Sequence, residues 1–133
     1  MPPGIRNTIA CKAFTLETLP RLKEEYIDTG KLRWVTLDMP LERIHPLAFK
    51  AAEATHCADE QGKFWEMHDK LFANQKQLSR ADLERYAQEL QLDMAKFKSA
   101  LDQNTYQSQV NRDKAEAARF GARGTPGFFI NGA

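Results

Sequence analysis

Long hydrophobic runs are absent from this sequence. No segment of the 133 residues approaches the ~20 consecutive apolar residues that cross a bilayer, so no membrane span is predicted. The first residues, Met1 to Asn7, also lack the apolar stretch of a signal peptide. Nothing in the sequence as written directs export, and the expected compartment is therefore the cytoplasm.

Net charge and cysteine are also scarce. The 19 Lys and Arg residues nearly cancel the 18 Asp and Glu residues, so no bulk field favours nucleic acid or an anionic membrane as a partner. The two cysteines, Cys11 and Cys57, are too few for a disulfide scaffold. His56 and His68 form no zinc-binding pattern with Cys57, so no metal site is predicted. At this length one domain, residues 1–133, is expected.

Strand patterns occur only near the two ends of the sequence. Apolar residues at helical spacing predict a helix over residues 12–29, and Gly30 stands where a left-handed cap would end it. Residues 32–38 alternate apolar and polar side chains and predict a strand. Residues 128–130 predict a second strand, which the Asn131-Gly132 hairpin signal follows.

Between the two predicted strands, almost every stretch is helical in pattern. Ser79 and Asp93 are predicted N-caps, and Gly121 is predicted to end the last helix. The five helices are expected over residues 42–58, 61–73, 79–90, 93–101 and 104–121. Five helices are too many for a simple crossover between strands, so they predict a helical insertion over about residues 41–121.

Several motifs along residues 11–132 occur together in one known family. They are a Cys11-led helix ending in Glu17-Thr18-Leu19-Pro20, the run Pro40-Leu41-Glu42-Arg43-Ile44-His45-Pro46, the run Glu60-Gln61-Gly62-Lys63-Phe64-Trp65-Glu66-Met67-His68, and Gly124-Thr125-Pro126 before Phe128-Phe129-Ile130-Asn131-Gly132. The sequence thus resembles the DsbA-like branch of the thioredoxin superfamily. The resemblance implies an α/β, thioredoxin-like fold with a large helical insertion. Because only Met1 to Asn7 precede the motif and the last elements are missing, the sheet is expected to be incomplete and the chain truncated at both ends.

The resemblance also implies a thiol–disulfide oxidoreductase site. Cys11 aligns with the second cysteine of the family's CxxC motif, and Thr8 takes the place of the nucleophilic first cysteine. Thr125 and Pro126 match the cis-proline loop that presents backbone groups to an extended substrate. The expected partner is a protein that carries a disulfide or a thiol. Because a threonine hydroxyl cannot replace the attacking thiolate, activity is expected to be impaired.

Three further expectations follow from the resemblance. Some relatives pair a cysteine at position 57 with one near Ala100, so Cys57 is expected to be a buried, free thiol here. Family members are typically periplasmic or exported. No resident cofactor is expected, although glutathione is a possible co-substrate.

Two alternative functions remain open at the level of the sequence. The first is a glutathione-dependent or peroxiredoxin-like enzyme that uses Thr8 and Cys11, since glutathione-dependent relatives replace the first cysteine with a hydroxyl residue and peroxiredoxins carry a TxxC motif. The second is a non-catalytic fragment or binding module that self-associates through open sheet edges.

Overall fold

The computed structural model describes residues 11–131, and its regular structure is helical. The first helix, α1, consists of a π-helical stretch Phe14–Thr18, an α-helical stretch Leu19–Leu22 and a second π-helical stretch Lys23–Ile27. Five α-helices follow: α2 (Ala48–Asp59), α3 (Phe64–Ala73), α4 (Arg80–Glu89), α5 (Met94–Asp102) and α6 (Gln107–Arg119). The five helices predicted between residues 42 and 121 are therefore confirmed, with ends that shift by a few residues, while their role as an insertion in a larger fold stays a prediction.

Local capping chemistry explains where several helices begin and end. Ser79 Oγ accepts a hydrogen bond from the Asp82 backbone N–H at 3.2 Å, and the Ser79 N–H donates to Asp82 Oδ2 at 3.1 Å. This reciprocal pair is a capping box at the start of α4. Asp93 Oδ1 likewise accepts from the Lys96 N–H at 3.1 Å and begins α5. Gly30 follows α1 with a φ of 76°, the left-handed conformation that glycine adopts without strain. These predicted caps are confirmed.

The core lies between α2 and the helices that follow it. Small side chains on one face of α2, Ala51, Ala54 and Ala58, let neighbouring helices approach closely. Met67 of α3 and Phe97 of α5 fill this space and are fully buried. Helix α2 packs mainly against α3 and α5, so it stands at the centre of the helical part. Any group on its buried face is removed from water.

The expected α/β fold is wrong for the described part of the chain. Residues 11–131 contain no β-strand, so residues 32–38 and 128–130, both predicted as strands, lie outside regular secondary structure, and Ile130 stands at a bend. Within that range no backbone hydrogen bond joins the two segments. The physical reason is that strand structure depends on hydrogen bonds from a neighbouring strand, and neither segment supplies them to the other. Open sheet edges, the predicted basis for self-association, are accordingly not observed there.

An aromatic cluster holds residues 32–38 and 128–130 near α1 instead. The Phe14 ring lies 5.5 Å from the Trp34 ring and 4.7 Å from the Phe128 ring, centroid to centroid. Other apolar side chains of these segments stay uncovered, since Val35 and Ile130 are 63% and 73% exposed. The cluster thus brings both ends of the described chain to the same side of the molecule.

Candidate functional site

Cys11 and Thr125 meet at this side of the molecule. The Cys11 side chain is half-buried, and the Thr125 side chain lies within hydrogen-bonding reach of it. Burial raises the pKa of the Cys11 thiol above its ordinary value of 9.0, and the Thr125 hydrogen bond partly offsets that effect. The thiol form therefore predominates at neutral pH, and only a small fraction is present as the reactive thiolate.

The other predicted site residues are Thr8, Thr125 and Pro126. Pro126 directly follows Thr125, and the peptide bond between them is cis. Thr8 lies outside the described residues, so its predicted position beside Cys11 stays a prediction. The substrate-binding roles of Thr125 and Pro126 also remain predictions, although the contact of Thr125 with Cys11 joins two residues that are more than a hundred positions apart.

The second cysteine is separated from this site. Cys57 lies on α2, is fully buried and is a free thiol, so the prediction for this residue is confirmed; Cys11 is a free thiol as well. Burial, together with the nearby carboxylates of Glu60 and Glu53, raises the pKa of Cys57 to about 12. A thiol that is both buried and protonated is a poor nucleophile, so Cys57 is suited to packing.

A second polar cluster, which the sequence did not predict, joins three separate elements. The cluster consists of Asp38 from the segment 32–38, His56 from α2 and Asp113 from α6. Each residue offers one ligand atom, and these atoms all lie within 4.8 Å of one another. His56 Nε2 hydrogen-bonds Asp38 Oδ2, and the Asp38 backbone N–H donates to Asp113 Oδ2 at 3.1 Å. We call these three residues the Asp–His–Asp cluster.

The surroundings of the Asp–His–Asp cluster explain its electrostatics. The hydrogen bond to Asp38 raises the pKa of His56 above its ordinary value, against the opposing effect of burial. Burial raises the pKa of the Asp113 carboxyl, and the neighbouring Asp38 carboxylate adds to that effect. Aromatic rings of Phe64 and Tyr106 lie 5.9 Å and 5.7 Å from the imidazole, so its orientation is fixed by packing.

His56 also lines a cleft of about 430 Å³. The wall of the cleft includes Trp34 and Thr36 of the segment 32–38 and Phe64 and Trp65 of α3. The imidazole therefore connects the Asp–His–Asp cluster with space that a small molecule can enter. No local spacing could have revealed this arrangement, because 18 residues separate Asp38 from His56 and 75 separate Asp38 from Asp113.

Comparison with known proteins decides the family. The family model described as "Thioredoxin" matches residues 9–133, which is nearly the whole chain. The chain belongs to the thioredoxin family. A "Probable disulfide bond formation protein D" from Bacillus cereus is 30% identical over 135 residues, covering 92% of this chain and 60% of that protein. The predicted resemblance to DsbA-like thioredoxin proteins is thereby confirmed, and at the level of the family the chain is related to thiol–disulfide oxidoreductases.

Segments similar to this chain also occur within much longer proteins. A "Na(+)/H(+) antiporter NhaA 3" from Salinispora tropica is 42% identical over 113 residues, which is 85% of this chain but 17% of the antiporter. A "Na(+)/H(+) antiporter NhaA 1" from Mycobacterium sp. (strain KMS) is 42% identical over 105 residues, again 17% of its length. The chain thus spans about a sixth of these relatives. None of the helices in the described part of this chain is long and apolar enough to cross a membrane.

Proposed function

We propose that this chain carries out thiol–disulfide exchange as a monothiol domain, with Cys11 as the reacting group. The contact between the Thr125 hydroxyl and the Cys11 sulfur is the observation that supports this proposal most directly. It places a hydrogen-bond donor where a thiolate would need stabilising. Thr125 and Pro126 would then hold an extended segment of the protein substrate beside the sulfur.

The proposed exchange needs an external thiol. The Cys11 thiolate attacks one sulfur of a substrate disulfide, the S–S bond breaks, and the other sulfur leaves as a thiolate that takes up a proton. The product is a mixed disulfide between Cys11 and the substrate. Cys57 is buried in the core on α2 and cannot resolve it. A second small thiol, for which glutathione is the natural candidate, must therefore attack the mixed disulfide and release Cys11.

Thiol–disulfide exchange at Cys11 is expected to be slow. The raised pKa of Cys11 leaves little thiolate at neutral pH, which limits the rate of attack. Thr8 at the aligned position of the first cysteine removes the group that would otherwise attack first. Thr8→Cys is therefore expected to raise insulin-reducing activity above that of the wild-type chain, while Ala10→Cys, two positions away, is not. Equal gain in both variants would contradict the role assigned to position 8.

Incubation with oxidised glutathione tests the central step. Intact-mass spectrometry should show one glutathionyl group on the wild-type chain and on Cys57→Ser, and none on Cys11→Ser. If Cys11 in the folded protein forms no adduct at any pH while the urea-unfolded chain does, the proposed function fails. The antiporter relatives share only this region, so the proposal is limited to thiol chemistry and excludes the activity of those longer proteins.

A further inference from the structure

We propose that Asp38, His56 and Asp113 bind a divalent transition-metal ion of the Zn²⁺ type. The three side chains come from the segment 32–38, α2 and α6, and one donor atom from each lies within 4.8 Å of the other two. One imidazole nitrogen and two carboxylate oxygens are a donor set that such ions accept. This site is separate from Cys11 and does not depend on the proposed thiol exchange.

The distances are close to what an ion would require. With metal–nitrogen and metal–oxygen bonds of about 2.0–2.2 Å, the ligands of a tetrahedral ion stand roughly 3.3 Å apart. The donor atoms of the cluster, which all lie within 4.8 Å of one another, are near that spacing. Nε2 of His56 already faces the Asp38 carboxylate, so its lone pair is directed into the cluster when the imidazole is neutral.

The environment favours an ion that keeps its ligands in place. The His56 side chain is 9% exposed and that of Asp38 is 14% exposed, so water screens the charge of the Asp38 carboxylate weakly. The Asp38 N–H holds Asp113 Oδ2, as outer hydrogen bonds commonly orient ligating carboxylates. Phe64 and Tyr106 pack near the imidazole and limit its rotation. A dication would neutralise the two carboxylates at the place where the fold brings them together.

Three protein ligands leave one position of a tetrahedral ion unfilled. Catalytic and ligand-binding zinc sites use three protein ligands and keep a fourth position open. Here the cluster supplies three ligands, and one of them, His56, also belongs to the wall of the 430 Å³ cleft. A water molecule or another small ligand would complete the coordination. Imidazole and carboxylate donors suit Zn²⁺ or Mn²⁺, and a site with imidazole discriminates against Mg²⁺.

A matched histidine provides the control. His68 on α3 is as buried as His56, at 8% exposure for both residues, and it hydrogen-bonds one carboxylate, Asp69, at 3.0 Å. Within residues 11–131 His68 belongs to no group of three possible ligands. His68→Gln should therefore alter packing as much as His56→Gln without removing a ligand.

Calorimetric titration of chelator-treated protein with ZnCl₂ tests the proposal. It is done in the Cys11→Ser background, so that no exposed thiol binds the ion and failure of the thiol function has no effect on the result. We expect one Zn²⁺ per chain, no response to MgCl₂, and an affinity more than about tenfold weaker in His56→Gln and in Asp113→Asn. His68→Gln should bind as the parent does.

Two outcomes would overturn the proposal. One is the absence of stoichiometric Zn²⁺ binding by the parent. The other is unchanged binding in a His56→Gln variant whose far-UV circular dichroism is native. If that variant does not fold, Co²⁺ absorption of the parent decides: nitrogen and oxygen ligation supports the site, and sulfur ligation or no specific spectrum refutes it.

Discussion

Lys50→Met is expected to destabilise the chain because Lys50 compensates a buried carboxylate. Lys50 Nζ lies 3.0 Å from Glu53 Oε2, and it also donates to the Leu101 carbonyl at 3.0 Å and to Asn104 Oδ1 at 2.6 Å. The Glu53 side chain is 3% exposed, and its other oxygen, Oε1, has no hydrogen-bond partner within the described residues. Methionine would keep much of the apolar stem and leave the Glu53 charge uncompensated.

The size of the effect follows from these contacts. Removing one partner of a buried ion pair costs about 3–5 kcal/mol, because the remaining charge loses its counter-charge away from water. The Lys50 side chain is 35% exposed, so solvent weakens this pair and reduces the expected loss. We therefore expect Lys50→Met to lower the free energy of unfolding by roughly 2–3 kcal/mol. Glu53→Gln in the same chain should recover part of this loss, since no buried charge is then left.

Urea denaturation followed by circular dichroism measures the change. The control is Lys98→Met, which removes an exposed pair with Glu84 whose N–O separation is 3.7 Å. Pairs of that kind contribute about 0–1 kcal/mol, so the control should be close to neutral. If Lys50→Met costs no more than Lys98→Met, or if Glu53→Gln deepens the loss, the reasoning about the buried carboxylate is refuted.

Three other predictions follow from the thiols and from the start of α4. Thr125→Val should raise the pKa of Cys11 further, because the hydrogen bond that lowers it is lost while burial remains. The midpoint of iodoacetamide alkylation should then move to higher pH, and Thr125→Ser should retain the wild-type midpoint. An unchanged midpoint in the valine variant would contradict the contact. Cys57, whose pKa is raised to about 12, should resist an aromatic disulfide reagent at neutral pH until urea unfolds the chain, and labelling as fast as Cys11 in the native state would argue against its burial. Ser79→Ala removes the capping box of α4 and should lower the free energy of unfolding, measured by urea denaturation, by about 1 kcal/mol. Ser79→Asp is the conservative control, and a loss below about 0.3 kcal/mol in the alanine variant would count against the cap.

The helical part of the fold was predictable because its signals are local. Ser79 and Asp93 satisfy backbone N–H groups three residues ahead, and such contacts are formed by neighbours in sequence. The strand predictions at residues 32–38 and 128–130 were wrong for the opposite reason. Alternating side chains describe a surface that fits a sheet, but the hydrogen bonds that make a strand come from another segment.

The two candidate sites were accessible to sequence reasoning to different degrees. Cys11, Thr125 and Pro126 were singled out through resemblance to a family, and the structure adds the hydrogen bond between Thr125 and Cys11 and the raised pKa. Position and chemistry are distinct here, since the motif marks the residue while its burial sets how much thiolate it yields. The Asp–His–Asp cluster, by contrast, has no motif at all.

Helix positions, helix caps and membership of the thioredoxin family could be inferred from the sequence, because each depends on residues close together in the chain or on motifs that are kept in order. The half-burial of Cys11 beside Thr125, and the meeting of Asp38, His56 and Asp113, depend on the tertiary structure. Solvent exposure and the distances between charges are set by how segments far apart in the chain pack against one another. The chemistry of both sites depends on those distances, which cannot be read from the order of the residues.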